Sequence, residues 1–315
     1  MRHLLRKTIF PLMLIFMFFL NACVASPETT DALPSSVPQA SPVPETSPAP
    51  TPVSTPEPTP VPTPAPTPEP EPSPVADLPE ASPFINTELY ILMYHDFVTD
   101  EAECNEWKTT ADGFRADLQW LTDNGYSFVL PSDLVAEKAL PEKAVMITMD
   151  DGYASNYHLA YPILQEFNAK AVISLIVAYQ VKDGPGALNW DMCREMIDSG
   201  LVEIGSHTYL SHDHNAEYGT YGIQRRPGEP EGDYELRILS DIQCSIDEIE
   251  ANLGQKVLLF AYPFGKTEPL AAEFVRSHFP ISVTTAAAPA DLSAGLHDLP
   301  RFNINSVKHP DLYLK

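Results

Sequence analysis

The chain has 315 residues, 44% of them apolar, with 33 prolines and a formal net charge of −24 at pH 7. That length holds one large domain or two ordinary ones once non-globular segments are set aside. An acid excess of this size repels polyanions, so long-range charge guides the chain to neither nucleic acid nor anionic lipid; a neutral or cationic polymer is the easier substrate.

In chain order, residues 1–22 begin with Arg2, Arg6 and Lys7, pass through the apolar run IFPLMLIFMFFL and end in small residues before Cys23. A basic start, an apolar core and small residues at the exit form an export signal rather than a spanning helix. The ending LNAC resembles a bacterial lipobox, which implies cleavage before Cys23, a lipid on its sulfur and anchorage to the cell membrane through buried acyl chains. Residues 23–83 follow as a linker, and 20 of the 33 prolines lie within 27–83. Proline has no N–H and clashes with a preceding helical turn, so this tract is an extended, solvated spacer of polyproline type. The remainder, 84–315, is expected to be an extracytoplasmic globular head that acts as a monomer. Its cysteines, Cys104, Cys193 and Cys244, are far apart and form no CxxC pair, which disfavours a thiolate zinc site.

Within the head, buried strands alternate with amphipathic segments. The strand LYILMYH (89–95) is followed by a helix over 113–126, which puts Phe114, Leu118 and Leu121 on one face. SFVL and AVMITM (144–149) read as strands, with a short helix at SDLVAEKA between them, and ASNYHLAYPILQEF reads as a helix. A long strand over 169–179, a helix over 189–200 and the strand VEIGSH (202–207) continue the pattern. A loop around QRRPGEPEGD, a long helix ending at Gly254, KVLLFAYPFG, a helix from Pro269, ISVTTA and LPRFNI complete it. Six to eight β-then-α units with near-continuous apolar strands predict an α/β fold, a parallel (β/α) barrel. In such barrels functional residues gather at the C-terminal ends of the strands. YHDF, MDDG, GSHTYLSH and AYPFG all stand where a strand has just finished.

Asp150 and Asp151 are adjacent like charges, and each raises the other's pKa unless something positive intervenes. His207 and His212 are five residues apart, with His214 as a rival. Imidazoles and a carboxylate are the ligand set that suits Zn²⁺ and other first-row divalent ions. Such an ion would take one carboxylate and leave its neighbour ionised as a base.

These motifs resemble the polysaccharide deacetylases, carbohydrate esterase family 4 with the NodB-homology domain. TMDDG is similar to the family's first motif, HTYLSH to its metal-binding histidine motif and FAYPFG to its third, over about residues 88–305. The resemblance implies a distorted parallel barrel and one bound divalent ion, Zn²⁺ foremost, with Co²⁺, Ni²⁺ or Fe²⁺ as alternatives. It makes Asp151, His207 and His212 the metal ligands and Asp150 the general base. Most of the family spaces its histidines four apart; the interval of five resembles the branch of poly-N-acetylglucosamine deacetylases and related surface lipoproteins. In that branch the general acid comes from an early YHD segment, here His95, with His297 as the alternative. Many members carry an arginine in the third motif where this chain has Ala261, and Arg301 is the substitute orienter of the base. Phe264, through its backbone N–H, and Tyr262 are expected at the oxyanion and substrate. The implied reaction removes N-acetyl groups from a β-linked N-acetylglucosamine polymer. O-acetyl esterase activity on the same groups, a non-catalytic wall-binding lipoprotein and a metal-free glycosidase pair are the competing readings.

Overall fold

A computed structural model describes residues 88–181, 186–212, 214–215 and 220–315. The expected signal peptide, the linker and Cys23 lie outside the described residues, as does the side chain of His214.

Six strands form the body of the sheet: β1 (Glu88–Tyr94), β2 (Ala144–Asp151), β3 (Ala171–Leu175), β4 (Val202–Ser206), β5 (Leu259–Ala261) and β6 (Ile281–Val283). They run parallel in the order β6-β5-β4-β3-β2-β1. β2 shows how the sequence divides the core. Side chains along a strand alternate between faces. Val145, Ile147 and Met149 therefore enter the outer core, and Ala144 and Met146 the inner one. Thr148 and Asp150 extend the inner row towards the C-terminal end of the strand. Two nonpolar layers thus sandwich the sheet, and the inner one turns polar only at the rim.

A seventh strand, β7 (Phe302–Asn303), pairs in parallel with Leu92 and Met93 of β1. Just before it, Leu299 bridges Val283 of β6. One stretch of chain therefore spans both flanks of the curled sheet. The expected parallel barrel is present in distorted form, with Leu299–Asn303 as its seam.

Helices cover the outer face: α1 (Ala111–Asp123), α3 (Tyr161–Phe167), α4 (Val177–Val181), α5 (Trp190–Asp198), α6 (Glu231–Leu253) and α7 (Pro269–His278), whereas the short α2 (Pro131–Val135) packs Leu134 into the inner core. Thr110 caps α1 by accepting the Gly113 N–H at 2.9 Å, and the helix buries Phe114, Leu118 and Leu121 as their spacing predicts. Two segments depart from expectation. The strand expected over 169–179 stops at Leu175, because the amides of Val177 and Ala178 bond to Thr208 and Tyr209 carbonyls and start α4. The helix expected from Ala154 begins with a π turn, Asn156–Ala160. Pro162 has no N–H to return, and the Tyr161 amide reaches back five residues to the Asn156 carbonyl.

Ile147 is fully buried in the outer core. Ile147→Ala should lower the unfolding free energy by about 2–5 kcal/mol, read as a shift in the urea unfolding midpoint.

Candidate metal centre

The two adjacent carboxylates are turned to different tasks by the backbone. Asp150 is still in the strand and points inward. Asp151 adopts φ +75, a left-handed conformation that aspartate tolerates, and Gly152 follows at φ +77. That turn carries the Asp151 side chain out of the strand's alternation to the rim. Two strands away β4 ends and presents His207, after which Thr208 also takes a positive φ of 75. A β-branched residue there is strained, a cost that surrounding structure must offset.

Asp151, His207 and His212 converge, with ligand atoms all within 4.8 Å of one another. Asp151 Oδ1 lies 3.6 Å from His207 Nε2 and 3.5 Å from His212 Nε2. These separations exceed a hydrogen bond. Two ligands on a tetrahedral zinc, with bonds of ~2.1 Å, stand roughly 3.4 Å apart. Asp151 Oδ1 is buried without a hydrogen-bond partner, as an oxygen reserved for a cation would be. His207 Nδ1 is 2.7 Å from the Ala261 carbonyl, so this nitrogen carries the proton and donates it, leaving the Nε2 lone pair free. Burial lowers the His207 pKa to about 4, which keeps the ring in the neutral, ligating form. The residues present fit a divalent ion of the zinc type.

Asp150 has a different partner. Arg301 Nη1 donates to its Oδ1 at 2.8 Å and Nη2 to its Oδ2 at 2.7 Å, a bidentate pair with both side chains buried. The guanidinium is held in turn by the Thr284 carbonyl at 2.8 Å and the Thr148 hydroxyl at 3.0 Å. Burial alone would raise the Asp150 pKa; the charge and hydrogen bonds of Arg301 outweigh it and hold the carboxyl well below the usual range. Asp151, without such a partner, is raised, by burial first and by the Asp150 charge in support. Arg301 reaches Asp150 from the barrel seam, between Leu299 and Phe302.

His95 follows β1 and lines a cavity of about 310 Å³ together with Trp107, Asp150, Asp151, His207, His212 and Phe264. Its Nδ1 is buried without a hydrogen-bond partner, and its ring meets Trp107 edge-on at 4.8 Å. Burial lowers its pKa to about 4. His297 does not line this cavity; it stands beside Asp298, where burial also lowers its pKa. Phe264 adopts φ +57 in the turn Pro263–Gly265 and lays its ring 4.5 Å from that of His212. Gly265 is required in this turn: at φ +64, an added Cβ would come within 2.1 Å of the Thr285 hydroxyl. Tyr262, expected at the substrate, also lines this cavity, but it is buried, with its ring edge-on to that of Phe260 at 5.2 Å, so it stands in the cavity wall. Trp107 was not anticipated. A lone tryptophan in a loop carries no periodic signal; only the pairing of Asp96–Val98 with Lys108–Thr110 brings it over His95.

Residues 137–278 match the polysaccharide deacetylase family. The chain is 29% identical over 238 residues to YxkH of Bacillus subtilis (strain 168), named for that family, across 72% of this chain and 76% of that protein. It is 27% identical over 227 residues to the poly-beta-1,6-N-acetyl-D-glucosamine N-deacetylase of Escherichia coli (strain K12), which covers 61% of this chain but 33% of the longer relative. Among solved structures, a de-N-acetylase from Aggregatibacter actinomycetemcomitans superposes with a TM-score of 0.61 at 26% identity, over 69% of this chain and 95% of that one.

The Asp150–Arg301 pair ties acid sensitivity to stability. A carboxyl depressed in the folded state stabilises fully above its unfolded value near ~4 and loses that contribution as pH falls through the folded value. Arg301→Met, which leaves the buried carboxylate unpaired, should cost about 3–5 kcal/mol at pH 7. In denaturant titrations the deficit should already narrow above about pH 4 as the solution is acidified, because burial without the guanidinium raises the carboxyl's pKa and its protonation removes the unpaired charge.

Proposed function

As this chain belongs to the polysaccharide deacetylase family, we propose that it removes N-acetyl groups from a β-linked N-acetylglucosamine polymer, using one divalent ion held by Asp151, His207 and His212. The observation that carries this reading is the unequal treatment of two neighbouring carboxylates: Asp150 is clamped by Arg301, and Asp151 faces two imidazoles. The names of the Escherichia coli and Aggregatibacter relatives support N-acetyl groups as the target.

When bound, the ion supplies Lewis acidity, lowering the pKa of a water and polarising the acetamide carbonyl. Arg301 keeps Asp150 ionised and fixes the direction of its oxygens, so that it takes the proton as water oxygen attacks the carbonyl carbon. The Phe264 N–H, aimed by the left-handed turn, donates to the oxygen as negative charge grows there. The C–N bond then breaks, acetate leaves, and the departing amine needs a proton, which His95 supplies. His95 is neutral in the free protein near pH 7, so the proton that Asp150 takes from the water is the one relayed through His95 to the leaving nitrogen, and both side chains return to their starting forms. An amine leaves far less readily than an alcohol without protonation, and a histidine over the site therefore favours amide over ester cleavage. Trp107 offers an apolar face, 44% exposed, on which a sugar ring can rest.

We further propose, from the sequence of residues 1–83, that the head works outside the cytoplasmic membrane on a lipid attached to Cys23. Cys23→Ala should release the protein from the membrane fraction, as followed by fractionation and immunoblotting.

With N-acetylglucosamine oligomers as substrate, Asp150→Asn should keep the metal while kcat for acetate release falls about 10²–10⁴-fold. His207→Ala should lose both metal and activity. Acetate release that persists in Asp150→Asn at the original rate would remove Asp150 from the reaction.

A further inference from the structure

The loop that carries His212 is held by a carboxylate that takes no part in the reaction. Four residues, Thr208–Ser211, separate the two histidines, and the first of them has a positive φ. The amides that follow turn towards α6, where Asp241 receives them: the Tyr209 N–H on Oδ1 at 3.0 Å and the Leu210 N–H on Oδ2 at 2.8 Å. Ser211 bonds the same carboxylate through its backbone and its side chain. Consecutive amides converging on one anion form the concave nest that fixes a backbone most firmly. The His212 N–H then closes a tight turn on the Leu210 carbonyl at 2.8 Å, and the imidazole emerges towards Asp151.

The same helix holds the other end of the motif. Ser245, one turn beyond Asp241, bonds through its hydroxyl to that of Ser206 at 2.7 Å, immediately before His207. On the opposite side, the first amides of α4 bond to the carbonyls of Thr208 and Tyr209 at 3.2 and 2.9 Å. The loop is thus clamped between two helices, and Asp241 is the charged member of the clamp. Its removal would leave the part-buried Tyr209 amide and the more exposed Leu210 amide without their acceptor, and the loop free to choose another course.

We propose that Asp241 is a positioning residue for His212: by fixing Tyr209–Ser211 it sets where that imidazole stands relative to Asp151 and His207, and so sets the affinity and coordination geometry of the divalent ion. This rests on the reading of those three residues as a metal site. Groups that orient a ligand from outside the coordination sphere typically control metal affinity by about 10–100-fold.

The test is a Co²⁺ titration of the intact head against a competing chelator, with the visible absorption of bound Co²⁺ as a second readout. Wild-type protein should bind one ion. Asp241→Ala should bind about 10–100-fold more weakly with an altered spectrum, and circular dichroism should show it folded. Asp241→Asn should fall between the two, because the amide keeps one accepting oxygen and presents an N–H₂ to the other amide. If Asp241→Ala fails to fold, the Asn variant decides. Wild-type affinity and an unchanged spectrum in a folded variant would overturn the role. Wild-type protein that takes up no Co²⁺ would overturn the metal site itself, and the role of Asp241 with it.

Discussion

Two carboxylates at the end of one strand cannot share a small, partly dry site unless each has its own source of positive charge. That electrostatic demand organises the whole rim. Arg301 satisfies Asp150 through two parallel hydrogen bonds. Asp151 swings away on a left-handed turn and confronts His207 and His212, where a cation would take the place of the guanidinium. Neighbouring side chains with identical chemistry thereby acquire opposite pKa directions. One is kept ionised and the other is left facing two imidazoles.

The barrel supports this division at a backbone cost, half of whose non-glycine sites lie at the rim. Asp151, Thr208 and Phe264 all take positive φ, and each lies within or beside one of the three motifs. Apolar layers on both faces of β2 keep the strand ends fixed, so the strain is held where it aims a side chain or an amide. His207 illustrates the linkage between layers. Its ring is oriented by the carbonyl of Ala261, which belongs to the third motif, so the second and third motifs position each other.

Much of this was legible in the sequence because it depends on local order. Apolar alternation set the strands, and polar residues at their ends marked the rim. Asp151, His207 and His212 were identifiable from residue type and from resemblance, and they stand together. What depended on distance was harder to read. The partner of Asp150 is 151 positions away, and Asp241 lies about thirty residues beyond the loop it holds, without any repeating pattern to connect them. Trp107 reaches His95 only through a short strand pair. Tyr262, next to a motif proline, looked available but is turned into the core. The strand over 169–179 was drawn too long because its apolar composition continues past Leu175, whereas its hydrogen bonding does not.

The seam has a consequence for when the molecule becomes competent. The guanidinium that clamps Asp150 sits on the stretch that closes the barrel, between Leu299 and Asn303, and its contact with β2 spans 151 positions. Contacts of such separation form late, because the intervening chain must first be ordered. A chain still folding would therefore carry Asp151, His207 and His212 for some time before Asp150 met its arginine. A chain clipped ahead of Leu299 would lack the guanidinium and with it the clamp on Asp150.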